Sequence, residues 1–418
     1  MGRDVSKADL GEATRRPFLD GLRGSAACIV FFGHLVLAVF PGLVSFKPDE
    51  MHFAAETWLG VSLVSWIWKG SFAVCIFFVL SGYVLAGFSE ATTLSLTAQT
   101  VRRYLRLAMP MLMTSTIAWA IMAAGLMSNV AAARIVTHSE WLAMWYQGFE
   151  PSFWSMVREA LYDAFRNGRA DYNSNLWTMR IELIGSVTIF LAYVCFRNVT
   201  VRIAATVLYL ALNYDSYYAL FAVGVLFHEF EAWVGATLVR LVPSSHVREI
   251  LTGMVFLVGL YFGAYSHTPE GIVPAWHSFF PRSLPTTASH MIGAVLVVGA
   301  LLYNKRLQSW LGGAFGQYLG RLSFVLYLVH IPIICSVAAA CALALGHQPY
   351  AVNAAVTMLV TTAVVFGVST LLCRTVDVTT TGLSRDAGKL VDRWFPACDR
   401  KPDASNRPVE QCSAPGGR

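Results

Sequence analysis

RPFLDGLRGSAACIVFFGHLVLAVF, residues 16–40, passes from a polar, basic lead-in into an apolar run with Arg23 at its mouth and His34 at its centre. Taken as 24–43, the run supplies the roughly twenty residues that a helix needs to cross a hydrocarbon core. The lead-in is long for a signal peptide, the run is interrupted by a histidine, and no clear small-residue cleavage site follows. It reads as an uncleaved first span. Outward from it, further apolar stretches fall at 70–88, 107–128, 175–196, 199–213, 217–235, 249–265, 286–303, 321–345 and 350–373. The fifth is short enough to be tilted or partly interfacial. The segment 56–68, ETWLGVSLVSWIW, has three tryptophans suited to headgroup level and reads as an interfacial helix.

Composition supports the same class. Of 418 residues, 56% are hydrophobic and only 13% charged, against about 25% charged in soluble domains. Mean hydropathy is +0.54. Too few charges are present to clothe a soluble fold of this length, and disorder is excluded for the same reason. Segments of about ten alternating residues, the mark of a membrane β-barrel, are absent. Unbroken runs such as AVVFGVSTLLC (363–373) take their place. The expected fold is therefore an all-α, polytopic transmembrane bundle of about ten spans. Nucleic acid is not an expected partner, because the net charge of +6 is explained by topology. With the N-terminus cytoplasmic and the tail discounted, cytoplasmic segments hold 15 Lys+Arg against 8 on the other side. Both termini are expected in the cytoplasm and the protein in the inner (plasma) membrane. The chain divides into an N-terminal segment 1–15, a membrane domain 16–373 and a tail 374–418, helical at first and disordered from about 396. The large outer loop 129–174 contains FWSMVREALYDAFRNG, expected to lie on the surface or re-enter the membrane. Of eight cysteines, six lie in apolar runs and no CxxC pair exists, so neither a disulfide framework nor a metal site is expected.

Ionisable groups inside spans are costly and mark function by default. His34, Glu182 and His330 stand out; His228 lies close to a membrane face, and Arg180 near Glu182 can snorkel outward. His34 follows Arg23 by eleven residues, about 16 Å and 20° beyond three full turns. The two share a face suited to a long anionic ligand, although a histidine tied to a neighbouring helix accounts equally for His34. Glu182 sits two turns into span 4, at its outer start. Arg102, Arg103 and Arg106 cluster between spans 2 and 3. Arg103 and Arg106, at i and i+3, share a helix face and could fork onto phosphates or serve only as positive-inside anchors.

Residues 16–34 closely resemble the opening of the acyltransferase-3 family of integral-membrane O-acyltransferases, with its Arg-x10-His motif matched by Arg23 and His34. IFFVLSGYVL (76–85), LWTMRIEL (176–183) and LSFVLYLVHIP (322–332) resemble later blocks in order, and Arg103–Arg106 matches an R-x-x-R element. Arg180 departs from the uncharged residue of many members. The resemblance implies the stand-alone form of the enzyme. It implies acyl-CoA, acetyl-CoA in the first place, for co-substrate with no permanently bound cofactor, and a hydroxyl of a carbohydrate-type acceptor such as a surface polysaccharide. His34, Glu182 and His330 would be catalytic, and Arg23, Arg103 and Arg106 would bind the donor. A transporter or flippase is the rival reading; intramembrane charges suit it, but no internal repeat is visible.

Overall fold

The computed structural model describes residues 16–266 and 284–396, and among these all regular structure is helical. The principal helices are α1 Pro17–Val39, α2 Gly70–Ala91, α3 Leu96–Ala123, α4 Trp177–Cys195, α5 Val199–Leu212, α6 Tyr218–Leu241, α7 Ser245–Gly263, α8 Thr286–Tyr303, α9 Ala314–Ile333, α10 Tyr350–Leu372 and α11 Val378–Trp394. Nine helices among the described residues are long and apolar enough to cross a membrane, and α5 falls short of that length.

Helix direction shows what α5 does. Helices α1 and α9 advance together, because Gly24 abuts Leu319 and Gly320 while His34 further along meets His330. Helices α4 and α6 also run parallel, Gly185 lying on Phe221 and Tyr193 bonding Glu229. Two parallel helices adjacent in sequence need a return pass between them. Arg202, near the start of α5, donates to Glu229 midway along α6 at 2.7 Å, so α5 runs back against both. Counting only the nine long helices would make α9 the eighth pass and antiparallel to α1, contrary to the packing. Among the described residues ten passes follow, as the sequence suggests.

The α1–α9 contact is the most extensive between helices among the described residues, and glycine permits it. A Cβ on Gly24 would stand 2.4 Å from the Leu319 carbonyl carbon, and one on Gly320 would stand 2.5 Å from the Asp20 carbonyl oxygen. Any side chain at either point would push the helices apart. His34 and His330 each lie ten residues beyond this crossing, which sets them at equal depth.

The loop 129–174 is re-entrant. Phe153–Arg158 continues through a π-turn, Glu159–Asp163, into Ala164–Arg166. This helix descends along α3. Phe153 packs on Trp119 (5.2 Å between rings), and Tyr104 donates to the Leu161 carbonyl at 2.7 Å. The chain then anchors on α9, where Asn173 donates to the Leu328 carbonyl (2.6 Å) and Asn175 to that of Tyr327 (2.7 Å). Pro332 explains the first bond: having no N–H, it leaves the carbonyl four residues earlier without a helical donor, and Asn173 supplies one.

The tail begins as a helix, as the sequence suggests. Its first part forms α11, which packs antiparallel on the start of α3. Thr380, Ser384, Gly388 and Asp392, at helical spacing, are buried on that contact. Leu383, Leu390 and Trp394 are exposed on the other side. The expectation of disorder from about 396 falls outside the described residues.

Candidate active site

His34 Nδ1 and His330 Nε2 are 2.9 Å apart, and His330 Nδ1 lies 3.1 Å from the Leu326 carbonyl oxygen. These two contacts determine the proton positions. A carbonyl only accepts, so His330 Nδ1 carries the hydrogen. A neutral His330 then has a bare Nε2, which must accept from His34 Nδ1–H. That leaves His34 Nε2 with a free lone pair. His330 is wholly buried whereas His34 is only half-buried. The Trp141 indole stacks on the His34 ring with centroids 5.2 Å apart and planes 13° apart, fixing its orientation. His34 is thus the imidazole open to a reactant, and His330 orients it.

Toward the arginine end of α1 lies a cavity of about 570 Å³ lined by Asp20, Arg23, Ser81, Arg103, Arg106, Glu182, Arg321 and Tyr327, among others. Three helices place its cations: α1 supplies Arg23, α3 Arg103 and Arg106, and α9 Arg321. Arg23 is 3.6 Å from Asp20, and the Arg106 guanidinium lies 5.6 Å from the centre of the Phe324 ring. Arg102 does not join them; it covers the Phe88 ring at 4.9 Å and packs against Gly388 of α11.

The sequence reading puts Glu182 at the outer start of a span and Arg103 on the first cytoplasmic loop, on opposite sides of the membrane. The structure pairs them. Arg103 forms a salt bridge with Glu182, Ser81 donates to the same carboxylate at 2.5 Å, and Arg103 Nε donates to Ser186 Oγ at 2.9 Å. The re-entrant loop is the reason: it carries the start of α4 down into the bundle, while α3 begins eleven residues earlier than its apolar run. The Glu182 carboxylate therefore engages Arg103 and Ser81 rather than an imidazole.

Neither imidazole lines the arginine cavity. Tyr327 does, and its ring lies 5.9 Å from that of His330 on the next turn of α9. Its hydroxyl bonds Thr178 Oγ1 at 2.9 Å and its ring faces Phe77. The six residues singled out from sequence thus gather into two adjoining groups, a histidine pair and an arginine cavity, with Tyr327 between them. Sequence reasoning passed over Ser81, Arg321, Tyr327 and Trp141. The spacing of Tyr327, three before His330, was a usable signal; Trp141 gave none. His228 contacts Glu90 at 2.8 Å, away from both groups.

A multi-pass helical membrane protein with a polarised histidine pair beside a cationic cavity is equipped to move an acyl group onto a hydroxyl. The family comparison agrees: the model described as an acyltransferase domain matches residues 16–374, and the chain belongs to the acyltransferase-3 family. It is an O-acyltransferase. It is similar to acyltransferase clz18 of Cochliobolus lunatus, 22% identical over 76% of this chain and 82% of that protein. O-acetyltransferase PaAT-1 of Phomopsis amygdali is 25% identical over 76% and 72%. Acyltransferase MdmB of Streptomyces mycarofaciens is 26% identical over 77% and 79%. No solved structure matches the chain.

Proposed function

We propose that the protein transfers an acyl group, an acetyl group in the first instance, from acyl-CoA to a hydroxyl of a carbohydrate-type acceptor. The observation that carries this is the hydrogen-bonded series Leu326 carbonyl–His330–His34, which leaves one bare imidazole nitrogen at the level where a donor bound by the arginines would present its thioester. The phosphates of CoA would rest on Arg23 and Arg106, with Arg321 beside them and Arg103 held in place by Glu182. The pantetheine arm would run along α1 and α9. Tyr327 has to swing aside for the thioester to reach His34.

His34 Nε2 takes the proton of the acceptor hydroxyl as its oxygen attacks the thioester carbonyl. The tetrahedral intermediate collapses, the C–S bond breaks, and the thiolate leaves with the proton from the imidazolium. His330, accepting from His34 Nδ1–H, stabilises that imidazolium. The arginine end is assigned to the cytoplasm, where acyl-CoA is found, with both termini there and the bundle in the plasma membrane. The transporter reading has no counterpart to the histidine series. The test is purified protein in nanodiscs with labelled acetyl-CoA and a panel of glycans: label should move to acceptor in wild type and not in His34→Ala. Transfer by the alanine variant at wild-type rate would remove His34 from the chemistry.

A further inference from the structure

Arg102 stands outside the arginine cavity, yet its position relative to the cavity is well defined. It lies four residues before Arg106, so it keeps nearly the same face of α3 about 6 Å nearer the start of that helix. Its neighbours step out of the cavity by the same turn. On α2, Val84 and Leu85 line the cavity, and Phe88, under the Arg102 guanidinium, follows them. Helix α2 begins beside Gly33, next to His34, and runs away from it. The step from Leu85 to Phe88 is therefore a step away from the histidine pair. On α11, Val378 and Thr381 line the cavity, and Arg385 follows Thr381 by four residues. Arg385 folds back toward the lining, with Nε 3.5 Å from the Thr381 carbonyl oxygen. Gly388 brings the two helices together: a Cβ there would stand 3.1 Å from Arg102 Cβ and 3.4 Å from the Ala98 carbonyl oxygen. Three helices thus set Arg102 and Arg385 at the rim of the cavity, one turn beyond its lining.

Among the described residues, the charged group that acts on Arg102 is a second guanidinium, that of Arg385. Packing of α11 on α3 holds these two like charges near each other, which costs energy until an anion joins them. Arg385 is exposed and Arg102 half-buried, so an anion can reach both. Two guanidinium forks offer the charge-assisted hydrogen bonds that a phosphate dianion takes. CoA carries two separate phosphate groups. Its diphosphate joins the ribose to the pantetheine arm, while the 3′-monoester branches from the far side of the ribose and adds a charge of about −1.5 to −2. Inside the cavity Arg23 already faces Asp20 at 3.6 Å, and Arg103 is bridged to Glu182. We propose that Arg102 and Arg385 bind the 3′-phosphate of the donor at the rim, one turn beyond the arginines that take its diphosphate. The subsite rests on the acyl-CoA reading and adds to it a demand of its own: the donor's nucleotide is recognised by its monoester, and the tail helix supplies one of the two forks.

The experiment uses the full chain in phosphatidylcholine nanodiscs, with calorimetric titration of CoA and of 3′-dephospho-CoA at one ionic strength. Both ligands meet the same lipid, so headgroups at the rim cancel in the comparison. Wild type should bind CoA at least about tenfold more tightly than dephospho-CoA, the scale of hydrogen bonds to a charged group. Arg385→Gln, at an exposed position, should lose affinity for CoA and keep its affinity for dephospho-CoA. Arg102→Gln should do the same, and the double variant should bind the two ligands alike. Arg106→Ala should weaken both alike, because both carry the diphosphate. Equal binding of the two ligands by wild type would overturn the subsite and leave the acyl-CoA reading standing. Binding of neither would overturn that reading and the subsite with it. A wild-type preference that survives in Arg385→Gln, or an equal loss of both ligands in that variant, would also overturn the assignment, since a general positive field does not distinguish the monoester.

Discussion

The two histidines differ in what each can lose. His34→Ala removes the bare nitrogen of the histidine pair and should abolish turnover while leaving the protein folded. His330→Ala leaves His34 in place but unoriented, and a fall of about ten- to a hundredfold is expected, the scale of losing a partner that orients a reactive imidazole. Turnover of purified variants checks both, and parity of the two losses would mean His330 touches substrate. Arg103 and Glu182 behave as a unit. Each single change to Met strands a partly buried charge, at a cost of about 3–5 kcal/mol. The double Met variant should be more stable than either single one, which thermal unfolding of all four proteins will show. Arg106 lines the cavity with its guanidinium over the Phe324 ring, so Arg106→Ala should weaken acyl-CoA binding by roughly 1.5–3 kcal/mol with only partial rescue by lysine. What was legible at this scale was the shared face of Arg23 and His34, because helical periodicity within one span decides it. The Arg103–Glu182 pair was not legible, because it depends on how far a distant loop sinks.

Among the elements, α1 and α9 are set by contacts that tolerate no side chain. Gly24→Val should separate them, disrupt the histidine pair and cost activity even where the protein still inserts. Normal turnover in a correctly inserted Gly24→Val variant would show that the crossing does not set the histidine depth. Beyond the far end of α1, His52 ties 47–52 to the loop 129–174 through the Thr137 carbonyl at 2.9 Å. Burial, outweighing the Thr137 contact and Glu56, holds its pKa below the ordinary value. The unfolded segment then binds the proton more readily, so this clasp loses stability as pH falls through about 6.5. Hydrogen exchange at 47–56 should rise below that pH in wild type and less so in His52→Gln. Span boundaries were read from hydropathy, and that worked wherever the helix and the apolar run coincide. It failed for α3, whose first turns carry arginines. Ser95 caps that helix by accepting from the Ala98 amide at 3.3 Å, and capping is a backbone property to which hydropathy is blind.

At the scale of the whole molecule, the ten-pass bundle was legible because composition and run length leave few alternatives. The role of the tail was not. A helix whose buried stripe is Thr, Ser, Gly and Asp looks in sequence like a solvated one. Yet α11 covers the start of α3, and Val378 and Thr381 line the arginine cavity. Ending the chain after residue 374 should therefore weaken acyl-CoA binding while His34-dependent chemistry at saturating donor persists. Unchanged donor affinity in the truncated protein, measured by calorimetry in nanodiscs, would make α11 a mere appendage.

The crossing at Gly24 and Gly320 locks two parallel helices in one register, and each carries an arginine at one end and a histidine at the other. The separation between those ends, about 16 Å along α1, is then not adjustable. It works as a fixed gauge. A donor is admitted by the distance between its anionic groups and its reactive carbonyl, whatever acyl group it carries. Acetyl phosphate has the right chemistry but holds its phosphate directly against the acyl carbon, and cannot occupy both ends at once. It should fail as a donor at millimolar concentrations where acetyl-CoA saturates, and productive use of it would show that the gauge does not operate.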